Sequence, residues 1–187
     1  VLINGLIGFQ HVLKNYIDLP EETIRKQLMD QSLTPFFCGE ISEDKFWQIL
    51  ISKNNWPLSV TFLKFQVRKR FTEIKGTREF IKDIKNLGFT IALLSVHARE
   101  WIEYIEIRHG ILHLFNEVSF SFEAGIKKPN PLSYQIILTK LGAKPEECIF
   151  IDDSTVNTAA AEALGIKSIT FINAEQTRHE FEEIVSQ

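Results

Sequence analysis

From Gly76 onward the chain alternates helix-like and strand-like segments, and this alternation constrains its fold more than any other feature. "TREFIKDIKNLG" (77–88) is an amphipathic helical pattern closed by Gly88, "FTIALLS" (89–95) is a buried strand, and "REWIEYIEIRHG" (99–110) is a helix closed by Gly110. "EVSFSF" (117–122) reads as a short strand, and "NPLSYQIILTKLG" (130–142) as a helix with Pro131 near its start and Gly142 at its end. The strand "CIFID" (148–152), the helix "TVNTAAAEALG" (155–165), the strand "KSITFI" (167–172) and a last helix from about Glu175 complete the series. Strands separated by helices of this length predict an α/β fold, a parallel sheet covered on both faces.

The first 72 residues follow a different rhythm. "GLIGFQHVLKNY" (5–16) places Leu6, Phe9, Leu13 and Tyr16 at helical spacing, and "LPEETIRKQLM" (19–29) follows with Pro20 at a first turn. Ser42 is placed to cap "EDKFWQILISKN" (43–54), and Pro57 to open a fourth helix carrying Phe62, Phe65 and Val67. "SLTPFFCGEIS" (32–42) reads as a loop whose Phe36 and Phe37 either face a substrate or pack the bundle, packing being the preferred reading, and "RKR" (68–70) as the wet side of a helix. The expected organisation is a four-helix unit over 1–72 and an α/β unit over 73–187.

Bulk properties narrow the function. Hydrophobic and charged contents of 44% and 24% are those of an ordinary globular protein, and a net charge of −3 leaves no basic footprint for nucleic acid. The uncharged opening "VLINGLIGFQHVL" is shorter than the ~20 residues that span a bilayer and lacks a basic leader. No membrane association is therefore expected. Cys38 and Cys148 show no metal-ligand spacing and are not expected to pair, which points to a reducing, cytoplasmic setting.

In sheets of this kind the binding crevice lies beyond the carboxyl ends of the strands. Three polar features fall there. Asp152 and Asp153 project from the apolar run "CIFI" with no adjacent base. Two neighbouring carboxylates repel unless a cation or donors satisfy them, and Mg²⁺ is completed by one or two carboxylates, waters and phosphate. Lys128, in "GIKKPNP", is placed to neutralise a phosphoryl oxygen, and Ser95 to donate a hydroxyl to one. Each has a plainer reading: the acids or Ser95 as helix caps, and Lys128 as a surface lysine like Lys127. His97, just beyond Ser95, is either a substrate-reaching side chain or an exposed turn histidine, the second being the preferred reading.

Together, Ser95, Lys128 and "FIDD" with Asn157 resemble the second, third and fourth motifs of the haloacid dehalogenase superfamily of phosphohydrolases. "FFCGEISEDKFW" (36–47) is similar to the helical cap of one of its subfamilies. The resemblance implies a Rossmann-like parallel sheet with helices on both faces plus an all-helical cap domain. It implies Mg²⁺ bound directly by Asp153, Asp152 and Asn157 supporting that site, and Ser95 and Lys128 gripping the phosphate of a small metabolite such as a sugar phosphate. Lys128, Ser95 and Asp152 are its candidate catalytic residues.

In the family an aspartate attacks phosphorus to give an aspartyl-phosphate, and a second aspartate two residues later serves as acid and base. Both belong to an Asp-x-Asp motif on the first strand. This sequence opens "VLIN", where the turn after that motif is expected, so the residues given are expected to be inactive without the upstream segment. Val96 stands where the family often has asparagine. A dehalogenase of the same fold and a non-catalytic binding or regulatory protein are the alternatives; the acidic pair argues against the former, which needs no cation. Oligomeric state stays open.

Overall fold

A computed structural model describes residues 1–186. The N-terminal unit holds five helices among the described residues: α1 (Phe9–Leu13), α2 (Glu21–Leu28), α3 (Leu33–Phe37), α4 (Glu43–Asn54) and α5 (Val60–Arg68). Gly8 has φ 83°, outside the right-handed helical region, so α1 starts later than the apolar spacing predicts. The Ser42 hydroxyl caps α4 by accepting from the Lys45 amide at 3.3 Å. Ser59, rather than Pro57, opens α5, accepting from the Phe62 amide at 3.2 Å. The expected loop at 32–42 contains α3, because Phe36 is pulled into the core, stacked on Phe46 at 4.6 Å and edge-on to Trp101 at 5.0 Å.

The α/β unit comprises α6 (Thr77–Asn86), β1 (Ala92–Ser95), α7 (Arg99–His109), β2 (Glu117–Phe120), α8 (Ser121–Ala124) and α9 (Pro131–Leu141). It ends with β3 (Ile149–Asp152), α10 (Thr155–Glu162), β4 (Lys167–Thr170) and α11 (Ala174–Val185). Gly110 and Gly142, at φ 55° and 61°, terminate α7 and α9 as their positions predict.

The strands are parallel but form two pairs. β1 lies on β2 with Ala92 opposite Glu117, and β3 lies on β4 with Ile149 opposite Lys167. Leu94 of β1 and Phe150 of β3 share one apolar cluster with Tyr134 and Leu138 of α9 and Ala161 of α10. Ile91, Ile149 and Ile151 share another with Phe80 and Ile84 of α6 and Phe181 of α11. Since alternate strand residues face opposite sides, the two pairs sit side by side between common helical layers. The facing edges of β1 and β3 have no strand partner among the described residues. All four residues of β1 are accordingly half-buried, whereas a strand inside a doubly covered sheet is fully enclosed.

The helical unit and α7 share one core. Trp101 and Ile105 of α7 join Phe9, Leu13, Phe36, Phe46, Trp47 and Leu63 in a single cluster. At its centre Glu43, 1% exposed, receives Arg68 on both carboxylate oxygens at 2.8 and 2.7 Å, and the indoles of Trp101 and Trp47 at 2.8 and 3.2 Å. Burial pushes the Glu43 carboxyl up, but the Arg68 and indole bonds outweigh it and hold the carboxyl below its usual range. The "RKR" stretch is therefore not simply a solvated face: Arg68 neutralises Glu43, and Arg70 donates to the carbonyls of Gly5 and Ile7 at 3.3 and 2.8 Å.

The two crossings between the units run antiparallel. Ile3 bridges Glu73, the Asn4 amide donates to Thr72 O at 2.9 Å, and the Ile74 amide donates to Leu2 O at 2.8 Å. Both cysteines are free. No helix among the described residues is long and apolar enough to cross a membrane.

Candidate active site

The polar centre of the α/β unit lies where β1 and β3 end. Asp152 closes β3 and is 5% exposed. Its Oδ1 accepts from the Ser154 amide and from Asn157 Nδ2, each at 2.9 Å, and its Oδ2 accepts from Lys128 Nζ at 2.5 Å. A buried carboxylate is tolerated only when paired and hydrogen-bonded, and Asp152 meets both conditions.

Lys128 is delivered by the loop between α8 and α9. Gly125 ends α8 in the left-handed region at φ 66°, and the Asn130 side chain starts α9 by accepting from the Leu132 amide at 3.0 Å. Lys128 Nζ also donates to Leu94 O at 2.9 Å and lies 5.2 Å from the Phe150 ring centroid. One ammonium thus straddles the gap between the strand pairs, bonded to the tip of β1 on one side and the tip of β3 on the other. It is not a surface lysine.

Ser95 follows Leu94 at the end of β1, and Ala98, not Ser95, is the N-cap of α7. Asp153 is exposed beside Asp152, and the N-cap of α10 is Ser154. Neither the Ser95 hydroxyl nor the Asp153 carboxylate has a hydrogen-bond partner among the described residues, so the capping readings of both are not realised. Ser95, Lys128, Asp152 and Asn157 come together, with Asp153 at the rim. Val1 lies at the same mouth, near Asp153 and Asp152.

His97 departs from expectation. Its ring lies 5.5 Å from Trp101, 5.7 Å from Phe71 and 6.3 Å from Phe37, and its Nδ1 is enclosed without a partner. Burial lowers its pKa from 6.5 to about 4. The turn was expected to be exposed, but Phe37 and Phe71 together with Trp101 of α7 close over it. Phe36 and Phe37 both pack, Phe37 only half-buried.

Several residues that shape this region carry no local sequence signal. The Ser121 hydroxyl accepts from the His97 amide at 3.2 Å and donates to Phe37 O at 2.6 Å, pinning the turn after β1 to the helical unit. Gly39, at φ 77°, passes so close to α8 that a Cβ there would lie 2.6 Å from Phe122 O. Tyr134, fully buried, donates to Asn157 O at 2.8 Å, and burial together with the Asp152 charge pushes its phenol up to about 12. The one signal available for it was its helical position facing β3.

Comparison with known proteins places this arrangement. A glyceraldehyde 3-phosphate phosphatase from Methanothermobacter thermautotrophicus is 27% identical over 125 residues, 65% of this chain and 53% of that protein. The chain thus spans about half the length of that relative. A HAD family enzyme from Bacteroides thetaiotaomicron, solved in complex with magnesium and inorganic phosphate, superposes with a TM-score of 0.74 at 19% identity, over 91% of this chain and 88% of that one. An L-2-haloacid dehalogenase from Xanthobacter autotrophicus gives a TM-score of 0.64 at 17% identity, over 89% and 72% of the two chains. The pattern of Haloacid dehalogenase-like hydrolase matches residues 8–171. Running through the helical unit and through the strands and loop that carry Ser95, Lys128 and Asp152, that match shows that the chain belongs to the haloacid dehalogenase-like hydrolase family.

Proposed function

We propose that the complete protein is a Mg²⁺-dependent phosphohydrolase of a small phosphorylated metabolite, with residues 1–72 as its cap and the nucleophilic aspartate on a strand upstream of Val1. The observation that carries the reading is Lys128, fixed between Leu94 O and Asp152 at the open edges of β1 and β3. Those edges leave room for a parallel strand whose tip would emerge beside this lysine. The phosphatase relative and the neighbour solved with magnesium and phosphate support the same reading.

The donor set fits Mg²⁺. Asp152 is committed to Lys128, Ser154 and Asn157, while Asp153 is exposed and has no partner among the described residues, and one or two carboxylates with waters and a phosphate oxygen suffice for this ion. Asp153 would hold it directly, and when bound it would offset charge on the phosphoryl group. Lys128 and Ser95 hold the phosphoryl oxygens in line for attack, and Asp152 and Asn157 keep the Lys128 ammonium aimed. The upstream aspartate forms the phosphorus–oxygen bond as the ester oxygen leaves, and its neighbour two residues on supplies that oxygen's proton. Water then cleaves the aspartyl-phosphate. An unpaired Asp153 is of no use to dehalogenation, which needs no cation, so the phosphatase reading stands ahead of it.

The test uses the protein extended in frame upstream of Val1. Release of phosphate from an aryl phosphate is expected to require Mg²⁺, and Asp153→Ala to abolish most turnover and most Mg²⁺ affinity. Calorimetry showing full Mg²⁺ affinity in that variant would overturn the ligand assignment. Metal-independent turnover would overturn the mechanism.

A further inference from the structure

A cleft of about 310 Å³ opens beside Lys128, between the C-terminal end of α3 and the loop that carries the lysine. Thr34 and Cys38 line it from the helical unit, and Ile126, Lys127, Lys128 and Asn130 line it from the loop. Its two cations differ. Lys128 is committed to Asp152 and Leu94 O, whereas the side-chain ammonium of Lys127, in the same wall, has no ion pair or hydrogen bond among the described residues. No carboxylate lines the cleft. Glu40 lies close enough to Cys38 to add to the upward shift that burial imposes on that thiol, while Lys127 acts on the same thiol in the opposite sense. A cation in a cleft wall that has no partner among the described residues is open to a charge-assisted bond with an anion.

We infer that Lys127 is a specificity-determining residue, and that the substrate is a short phosphate ester bearing a second anionic group, a carboxylate or another phosphate, seated in this cleft. The inference rests on the phosphohydrolase reading, in which Lys128 and Ser95 take the phosphoryl end. The second anion then reaches Lys127, with the Thr34 hydroxyl and the Asn130 amide as neutral donors. Asn130 uses its side-chain oxygen on the Leu132 amide, which leaves its NH₂ group free for this. A cleft of this volume accommodates a chain of a few carbons. A charge-assisted bond made to one ligand and lacking in its neutral analogue is a direct source of discrimination.

Glycerate 3-phosphate and glycerol 3-phosphate form a matched pair, differing by a carboxylate in place of a hydroxymethyl group. Titrated calorimetrically, with Mg²⁺ present, into the upstream-extended protein whose nucleophilic aspartate is replaced by asparagine to prevent turnover, glycerate 3-phosphate is expected to bind about tenfold more tightly. The bisphosphate of propane-1,3-diol tells a second phosphate from a carboxylate. Lys127→Gln is expected to erase the preference, Lys127→Arg to retain most of it, and neither to change binding of inorganic phosphate. Equal affinity for the matched pair, no binding of either ester, or a Lys127→Gln loss shared equally with inorganic phosphate would each overturn the inference. Lys127-dependent binding without phosphate release by the upstream-extended protein would instead overturn the phosphohydrolase reading and leave the anion site standing.

Discussion

Arg68→Met removes the guanidinium bonded to both oxygens of Glu43 and leaves a carboxylate that is 1% exposed. Methionine fills much of the arginine stem's volume, so the loss is chiefly electrostatic. Breaking a buried pair from one side typically costs 3–5 kcal/mol, because the remaining charge stays desolvated. Glu43 keeps two indole donors, and Lys64 stands 3.9 Å away, already paired with Asp44 at 2.6 Å. These residual contacts place the expected cost near the lower end, about 3 kcal/mol.

Urea unfolding followed by tryptophan fluorescence is the natural assay, since Trp47 and Trp101 both donate to Glu43. At a few degrees per kcal/mol for a domain of this size, the melting temperature should fall by about 6–12 °C. pH supplies a second readout. The folded-state pKa of Glu43 is depressed, so the pair's stabilisation is present above the ordinary carboxylate value of 4.5 and disappears as pH falls through the depressed one. The gap between wild type and Arg68→Met should therefore close in acid. A cost below about 1 kcal/mol, the range of solvent-exposed pairs, or a gap that ignores pH would refute the reasoning.

His97 should stay neutral down to about pH 4, against 6.5 for a free imidazole, as followed by the NMR shifts of its ring protons. Because the unfolded chain takes up that proton first, stability should drop by up to about 3 kcal/mol between pH 6.5 and 4, and His97→Phe should flatten this slope. An ordinary titration midpoint near 6.5 would show that the aromatic enclosure is open in solution. Gly39→Ala places a methyl 2.6 Å from Phe122 O at φ 77°, and chemical denaturation should register a loss of about 1–3 kcal/mol. An unchanged midpoint would mean that α3 and α8 do not hold their close contact.

Much of the architecture was legible because its signals are local. Left-handed glycines at 110 and 142 end helices wherever the chain goes next, and the apolar runs before Ser95 and Asp152 read as strands without reference to their partners. The same locality made Ser95, Lys128, Asp152, Asp153 and Asn157 visible as strand-tip and loop residues. The misses share a long-range cause. Glu43 sits in a first helical turn, where an acid is ordinarily solvated, and is buried because Trp101 and Arg68 arrive from distant segments. Leu33–Phe37 is helical because Phe36 finds Phe46 and Trp101.

Periodicity, capping and the residues at strand ends thus settled the kind of fold and the chemistry of its mouth, since backbone sterics and burial act within a few residues. Which side chains meet was decided by packing. Lys128 reaches two strand tips, His97 is closed in by aromatic rings, and β1 and β3 face each other unpaired. These depend on contacts between segments tens of residues apart, whose energies no local pattern encodes.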